Sequence, residues 1–190
     1  NFELHSHLLE KILNIVRDTG RWVLRSGSYS EEIASHYLDH EVFEFVFSTH
    51  LYQIETLGRL RGLGTHAANS GCPDHAMALR IEYQLQCAWH DQRTAREFFA
   101  SRSTAVTRNI PALFDVQRSE QAFDEWTQLL GNIVNGSLPP SARIAAEAYT
   151  LASTVIDARL AMTEQILAYL RLAVEEMLES VLEETARLEA

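Results

Sequence analysis

The chain is poor in the residues that staple or interrupt a fold: two cysteines, four prolines and eight glycines in 190 residues. Two cysteines give no disulfide framework. With Cys72 in a turn and Cys87 about 14 residues into the following helix, roughly 20 Å would separate them, beyond the ~7 Å reach of a bridge. Both are expected as free thiols, a weak pointer to a reducing compartment, although buried free cysteines also occur outside the cytoplasm. No run of 18 apolar residues exists, so no segment reads as membrane-spanning, and the apolar core of a signal peptide is missing. Cations are scarce relative to anions, 16 Lys and Arg against 26 Asp and Glu, for a net charge of −10. That balance excludes nucleic acid and anionic lipid surfaces as general partners, while local arginine clusters could still hold a small anion. Runs of β-branched residues with period two are absent, so strands are not expected.

What is present is helical spacing from end to end, in a chain 46% hydrophobic and 22% charged, enough for one core and a single domain over residues 1–190. Phe2 to Arg25 carries Leu4, Leu8, Ile12, Ile15, Val16, Thr19, Trp22 and Val23 on one side. Ser26 to Tyr29 interrupts it, and Ser30 followed by Glu31 and Glu32 reads as an N-cap opening a second helix to about Asn69. Asn69-Ser70-Gly71-Cys72-Pro73 is the strongest break, after which a third helix runs from Asp74 to about Arg108. Pro111 stops or kinks it. A fourth helix holds Leu113, Val116, Phe123, Trp126, Leu129, Leu130 and Ile133 and ends at Asn135-Gly136.

Pro139 and Pro140 launch the last helix, Ser141 to Ala190, which contains neither glycine nor proline. Its apolar positions are Ile144, Ala148, Leu151, Val155, Met162, Ile166, Tyr169, Ala173, Met177 and Val181. Such a helix would span roughly 75 Å, so the others must lie along it. If the break at 26–29 is a kink, the upward and downward lengths nearly cancel. The expected fold is then all-α, an elongated up-down four-helix bundle with a kinked or broken first helix and a long C-terminal helix. Were every break a hairpin instead, the two ends would lie roughly 100 Å apart.

From Ile54 the chain reads I-E-T-L-G-R-L-R-G-L-G-T-H-A-A-N-S-G. Three glycines in a helix, at 58, 62 and 64, cost about 1 kcal/mol each relative to alanine and call for a close approach of a neighbour or a ligand. Arg59 and Arg61 lie among them, where guanidinium forks could grip an anion. A second stretch, A-A-E-A-Y-T-L-A-S-T-V-I-D-A-R-L, runs from Ala145 to Leu160. Together these resemble the extracytoplasmic helical sensor regions of bacterial transmembrane receptors: chemotaxis transducers, sensor kinases and diguanylate cyclases. There an L-x-x-x-R-G-L-type segment follows the first long helix and an A-x-x-Y/F-x-x-A-T-x-A-I-D segment opens the last. The chain is more distantly similar to nitrate- and nitrite-sensing helical domains, but Leu60 stands where their glutamate precedes the arginine-glycine pair, which removes the basis for assigning nitrate.

The resemblance implies a periplasmic signal-input domain between two membrane helices, which would account for a chain that opens at Asn1 without methionine. It implies a small-molecule ligand, an anion among the options, bound by Arg59, Arg61, Thr65, His66 and Arg159, with homodimerisation expected and membrane attachment only through flanking helices. For Arg61 and Arg159 the bland alternative is a surface arginine or a salt bridge with an acid such as Glu55 or Asp157.

Glu32, His36, His40 and Glu44 fall at successive i, i+4 positions, the spacing at which two histidines and a carboxylate can chelate a metal ion. A solvated polar face explains the same pattern, and no metal is assigned. His5 and His7 are two apart and form no helical pair, and the Glu-x-x-His spacing of a di-iron centre does not occur on two helices. Trp22, Trp89 and Trp126, with Phe98, Phe99 and Phe123, read as core, some of them candidates for a pocket wall. No nucleophile elbow, phosphate loop or dinucleotide fingerprint is present, and Gly62-Leu63-Gly64 is too short for one. Neither an enzyme nor a cofactor is expected. A metal-binding helical protein and a ligand-free interaction module are the alternatives.

Overall fold

The computed structural model describes residues 7–8, 11–19, 37–71, 75–101 and 116–188. Among them everything is helical except Gly71 and the connection 135–141, so the all-α expectation holds and no strand occurs. Residues 7–8 and 11–19 are helical, and Leu8, Ile12, Ile15 and Val16, which the spacing places on one side of a helix, are exposed. The interruption at 26–29 lies outside the described residues.

From Tyr37 the backbone is helical without a break to Ser70. It comprises α1 (Tyr37–Phe45), a π-helical segment (Val46–His50) and α2 (Leu51–Ser70). The widened turn is a feature the apolar periodicity does not announce. Helix α3 spans His75–Ser101, α4 spans Val116–Val134 and α5 spans Ala142–Leu188, 47 residues in one run. The absence of glycine and proline beyond Pro140 is why α5 never breaks.

The chain divides into two compact units, Asn1–Leu51 with Thr163–Ala190, and Tyr52–Met162. In the first, Val42, Phe45, Val46, His50, Thr163 and Ile166 are buried, and the rings of Phe45 and His50 stack with centroids 5.7 Å apart. Ser48 Oγ donates to Glu44 Oε2 across the π segment at 3.0 Å.

The second unit has its own core. Phe123, Trp126, Leu130 and Ile133 repeat at helical spacing along α4 and bury against Leu57, Leu60, Ala67 and Ala68 of α2, Ile81 and Ala88 of α3, and Ala145, Ala148, Ala152, Val155 and Ile156 of α5. Burying each large member contributes about 1.5–3 kcal/mol. The α5 stripe is mostly alanine, which lets the bulky α4 side chains come close. Of the three glycines in α2, Gly64 has the close neighbour: a Cβ there would lie 2.6 Å from Cδ2 of Leu130, whereas Gly58 and Gly62 have nothing within 4 Å.

The helix ends are closed by local chemistry. Gly71, at φ +80°, ends α2, and its N–H donates to the Ala67 carbonyl at 2.8 Å. Gly136, at φ +76°, ends α4, with Leu138 N–H reaching back to Asn132 O at 3.1 Å. Ser141 caps α5, its Oγ accepting from Ile144 N–H at 3.2 Å, while its own N–H donates to Ala68 O at 2.8 Å. That backbone bond joins the end of α2 to the start of α5. With Arg61 meeting Ser153 further along, it shows α2 and α5 antiparallel.

Candidate functional site

A helical core seldom holds polar side chains, because each must find a partner away from water. The second unit nevertheless buries Gln53 of α2, Gln92 of α3, Ser119 of α4 and Arg159 of α5. Arg159 is 7% exposed and Gln92 5%. The Arg159 guanidinium donates through Nη2 to Gln92 Oε1. A guanidinium can only donate, so this contact also fixes which end of the Gln92 amide carries oxygen. The Gln92 amide nitrogen is then left buried with no hydrogen-bond partner among the described residues. Gln53 Nε2 donates to the Asp91 carbonyl oxygen at 3.1 Å, tying α2 to the same turn of α3.

Beside this pair lies a recess of about 400 Å³ lined by Trp89, His90, Gln92, Arg93 and Arg96. Trp89 and Arg93, and Gln92 and Arg96, are each four apart on α3 and so share one side of it. Arg96 Nε sits 2.6 Å from Glu120 Oε1 on α4. Arg93 faces Glu97 at 3.7 Å in a largely solvated pair. Trp89 packs edge-on against Phe123, centroids 4.9 Å apart at 80°, while 46% of it stays open.

The electrostatics follow from burial. Desolvation holds the Arg159 guanidinium down at about 10. Glu120 and Asp91 pull the other way, and Arg96 adds repulsion. Desolvation pushes the half-buried Asp91 carboxyl up, a shift that His90 and Arg159 reduce. A charged guanidinium kept where its charge is penalised makes Arg159 a candidate site residue, although structural ion pairs produce the same shift.

No family model, curated protein or solved structure matches this chain. The site therefore stands on its own geometry.

Of the residues expected to bind ligand, Arg159 lies at this site. The other four occupy α2. Arg59 Nε pairs with Glu55 at 3.0 Å, so the acid named as an alternative partner for Arg61 is taken by Arg59. Arg61 lies with its guanidinium carbon 5.1 Å from the Tyr149 ring centroid, and its Nη1 donates to Ser153 Oγ at 3.3 Å. The two segments that carry the receptor resemblance thus touch each other, α2 through Arg61 and α5 through Tyr149 and Ser153. Thr65 Oγ1 is buried with no hydrogen-bond partner among the described residues, and His66 is exposed. Arg59, Arg61 and Arg159 bond to different residues, Glu55, Ser153 and Gln92.

The proposed chelating face is described only in part. Glu32 and His36 lie outside the described residues, and Glu44 accepts from Ser48. Among the described residues no group of three or more His, Cys, Asp or Glu could hold a metal ion. Cys87 is a free thiol, as expected, and Cys72 lies outside the described residues.

Trp89, one of the aromatics read as core with some of them candidates for a pocket wall, lines the recess, whereas Gln92, Arg93, Arg96 and Glu120 are not singled out by the sequence. A signal was available: Ile81, Ala88, Gln92 and Ala95 form the buried stripe of α3. A glutamine inside an apolar stripe marks a polar layer.

Proposed function

We propose that this chain is the ligand-sensing, signal-input domain of a bacterial transmembrane receptor, facing the periplasm and folded as an up-down four-helix arrangement with a long output helix. The observation that carries the reading is the buried Arg159–Gln92 pair beside an open recess, with Arg159 on the one helix that continues unbroken to Leu188. From Arg159 to Leu188 is roughly 44 Å of helix. A small molecule that changes the packing of α3 against α5 shifts the population between two α5 positions, and 1 to 2 Å along such a helix suffices to pass the change on.

The same reading expects a homodimer, and the exposed Leu167, Leu172, Leu178 and Leu182 of α5 supply apolar surface for one. Among the described residues no helix is long and apolar enough to cross a membrane. Neither catalysis nor a cofactor enters this account.

The test is a thermal-shift screen of the 190-residue chain against small anions, organic acids, amino acids and amines. A selective rise in melting temperature that grows with ligand excess is the expected outcome. No rise with any class overturns the reading.

A further inference from the structure

The chemistry of the recess narrows the ligand class. Its five lining residues include two guanidiniums and no carboxylate; the nearby acids, Asp91, Glu97 and Glu120, are not among the described residues that line it. Arg93 and Arg96 present forked donors, and Gln92 adds a buried amide nitrogen whose hydrogen-bond capacity is not used among the described residues. Each guanidinium meets one carboxylate through Nε, Arg93 that of Glu97 and Arg96 that of Glu120, and keeps further N–H donors on its fork that suit a planar acceptor carrying negative charge. The Arg93–Glu97 contact is long and solvated, so little is lost when Arg93 turns to another acid. Trp89 brings a half-open indole to the same wall, a surface on which a flat ring packs favourably. A volume of about 400 Å³ exceeds what acetate or nitrate would fill and accommodates a ring with its acid.

We propose that the recess formed by Trp89, Gln92, Arg93 and Arg96 binds a small aromatic carboxylate, its ring against Trp89 and its carboxylate on Arg96 and the Gln92 amide. This rests on the signal-input reading and specifies its ligand. Gln92 is also the point at which the site meets the output helix, since its other amide atom accepts from Arg159 of α5. A carboxylate drawn to the Gln92 nitrogen polarises the amide and strengthens its bond to Arg159. Ligand binding on α3 thereby tightens the grip on α5.

The experiment is calorimetric titration of the full chain with benzoate, benzamide and acetate, run alongside the intrinsic fluorescence of the three tryptophans. Benzoate binds saturably and alters the emission, whereas benzamide, lacking the charge, and acetate, lacking the ring, bind about tenfold more weakly or worse. Arg96→Gln and Trp89→Leu each reduce benzoate affinity about tenfold; Arg96→Gln leaves the melting temperature of the free chain nearly unchanged, its side chain being half exposed, and Trp89→Leu, which loses the edge-on contact with Phe123, lowers it by a few degrees only. Trp89→Leu also removes the emission change. Equal binding of benzoate and benzamide, or benzoate binding untouched in Arg96→Gln, overturns the proposal. If benzoate does not bind but another class in the thermal-shift screen does, the ligand class is wrong and the signal-input reading survives. If nothing binds, both fail.

Discussion

Nη2 of Arg159 donates to Oε1 of Gln92 in the helical core of residues 52–162, joining α5 to α3 between two side chains that are almost wholly buried. Such a pair is a poor way to stabilise a fold. Burial holds the guanidinium below its ordinary range, at about 10, which penalises the charged form, and an apolar pair of similar volume would carry no such penalty.

The stability of paired variants follows from that cost. Gln92→Leu removes an acceptor from a buried cation and is expected to destabilise by about 1–3 kcal/mol. Arg159→Met relieves the charge but leaves Gln92 Oε1 bare, and the two effects roughly offset. The double variant clears both and should exceed the wild type by about 1–3 kcal/mol in urea unfolding. Because the folded-state pKa of Arg159 is the lower one, the unfolded chain binds more protons in the alkaline window above about pH 10. This group's contribution to stability therefore rises with pH in that window. The advantage of the double variant should shrink there, and a gap constant from pH 8 to pH 11.5 would contradict the account.

Asp91 gives the opposite sign at the acid end. Its carboxyl is raised above the ordinary 3.8 by desolvation, so the folded chain binds more protons just above that pH and stability falls as pH rises through the window. Asp91→Asn is expected to be more stable than wild type at neutral pH and to lose part of the slope immediately above pH 3.8. Melting temperatures of the two chains from pH 3.5 to 7 read this directly, and converging curves at pH 7 would refute it.

Two glycines two residues apart in α2 should respond oppositely to the same substitution. Gly62 has open space around its Cα, so Gly62→Ala gains helix propensity, up to about 1 kcal/mol. Gly64→Ala places a Cβ 2.6 Å from the fully buried Leu130 and should cost about 1–2 kcal/mol net, since Leu130 must shift in a packed core. Leu130→Ala, destabilising alone by about 2–5 kcal/mol, should then be less costly in the Gly64→Ala background than in the wild type.

These contrasts mark where sequence reading reaches and where it stops. The course of α5 was legible because nothing after Pro140 can break a helix: Ser141 to Ala190 was read, and Ala142–Leu188 with Ser141 as cap is found. The ends of α2 and α4 were legible because Gly71 and Gly136 take φ values that other residues resist. Which glycine of α2 meets a neighbour was not legible, since Leu130 lies 66 positions away and periodicity carries no information about pairing. The π segment had no signature either. Of the site, Arg159 was reached by resemblance and Gln92 was passed over because pattern reading assigns glutamine to the outer face. It is buried here because it has a cation to receive.

The join between α2 and α5 separates two roles of one residue. Ser141 offers a hydroxyl to Ile144 N–H and its own N–H to the buried carbonyl of Ala68. Ser141→Ala removes only the first and should cost about 1 kcal/mol, the usual loss of a helix cap. Ser141→Pro removes both and leaves Ala68 O buried without its donor, adding about 1–3 kcal/mol. Proline's fixed φ is tolerated at a helix start, so the excess is attributable to the lost N–H rather than to helix breaking. Urea midpoints should fall in the order wild type, Ser141→Ala, Ser141→Pro. Equal midpoints for the two variants would mean that the backbone bond between α2 and α5 contributes nothing, and that the alanine-lined core and the contacts of Arg61 with Tyr149 and Ser153 hold the two helices together.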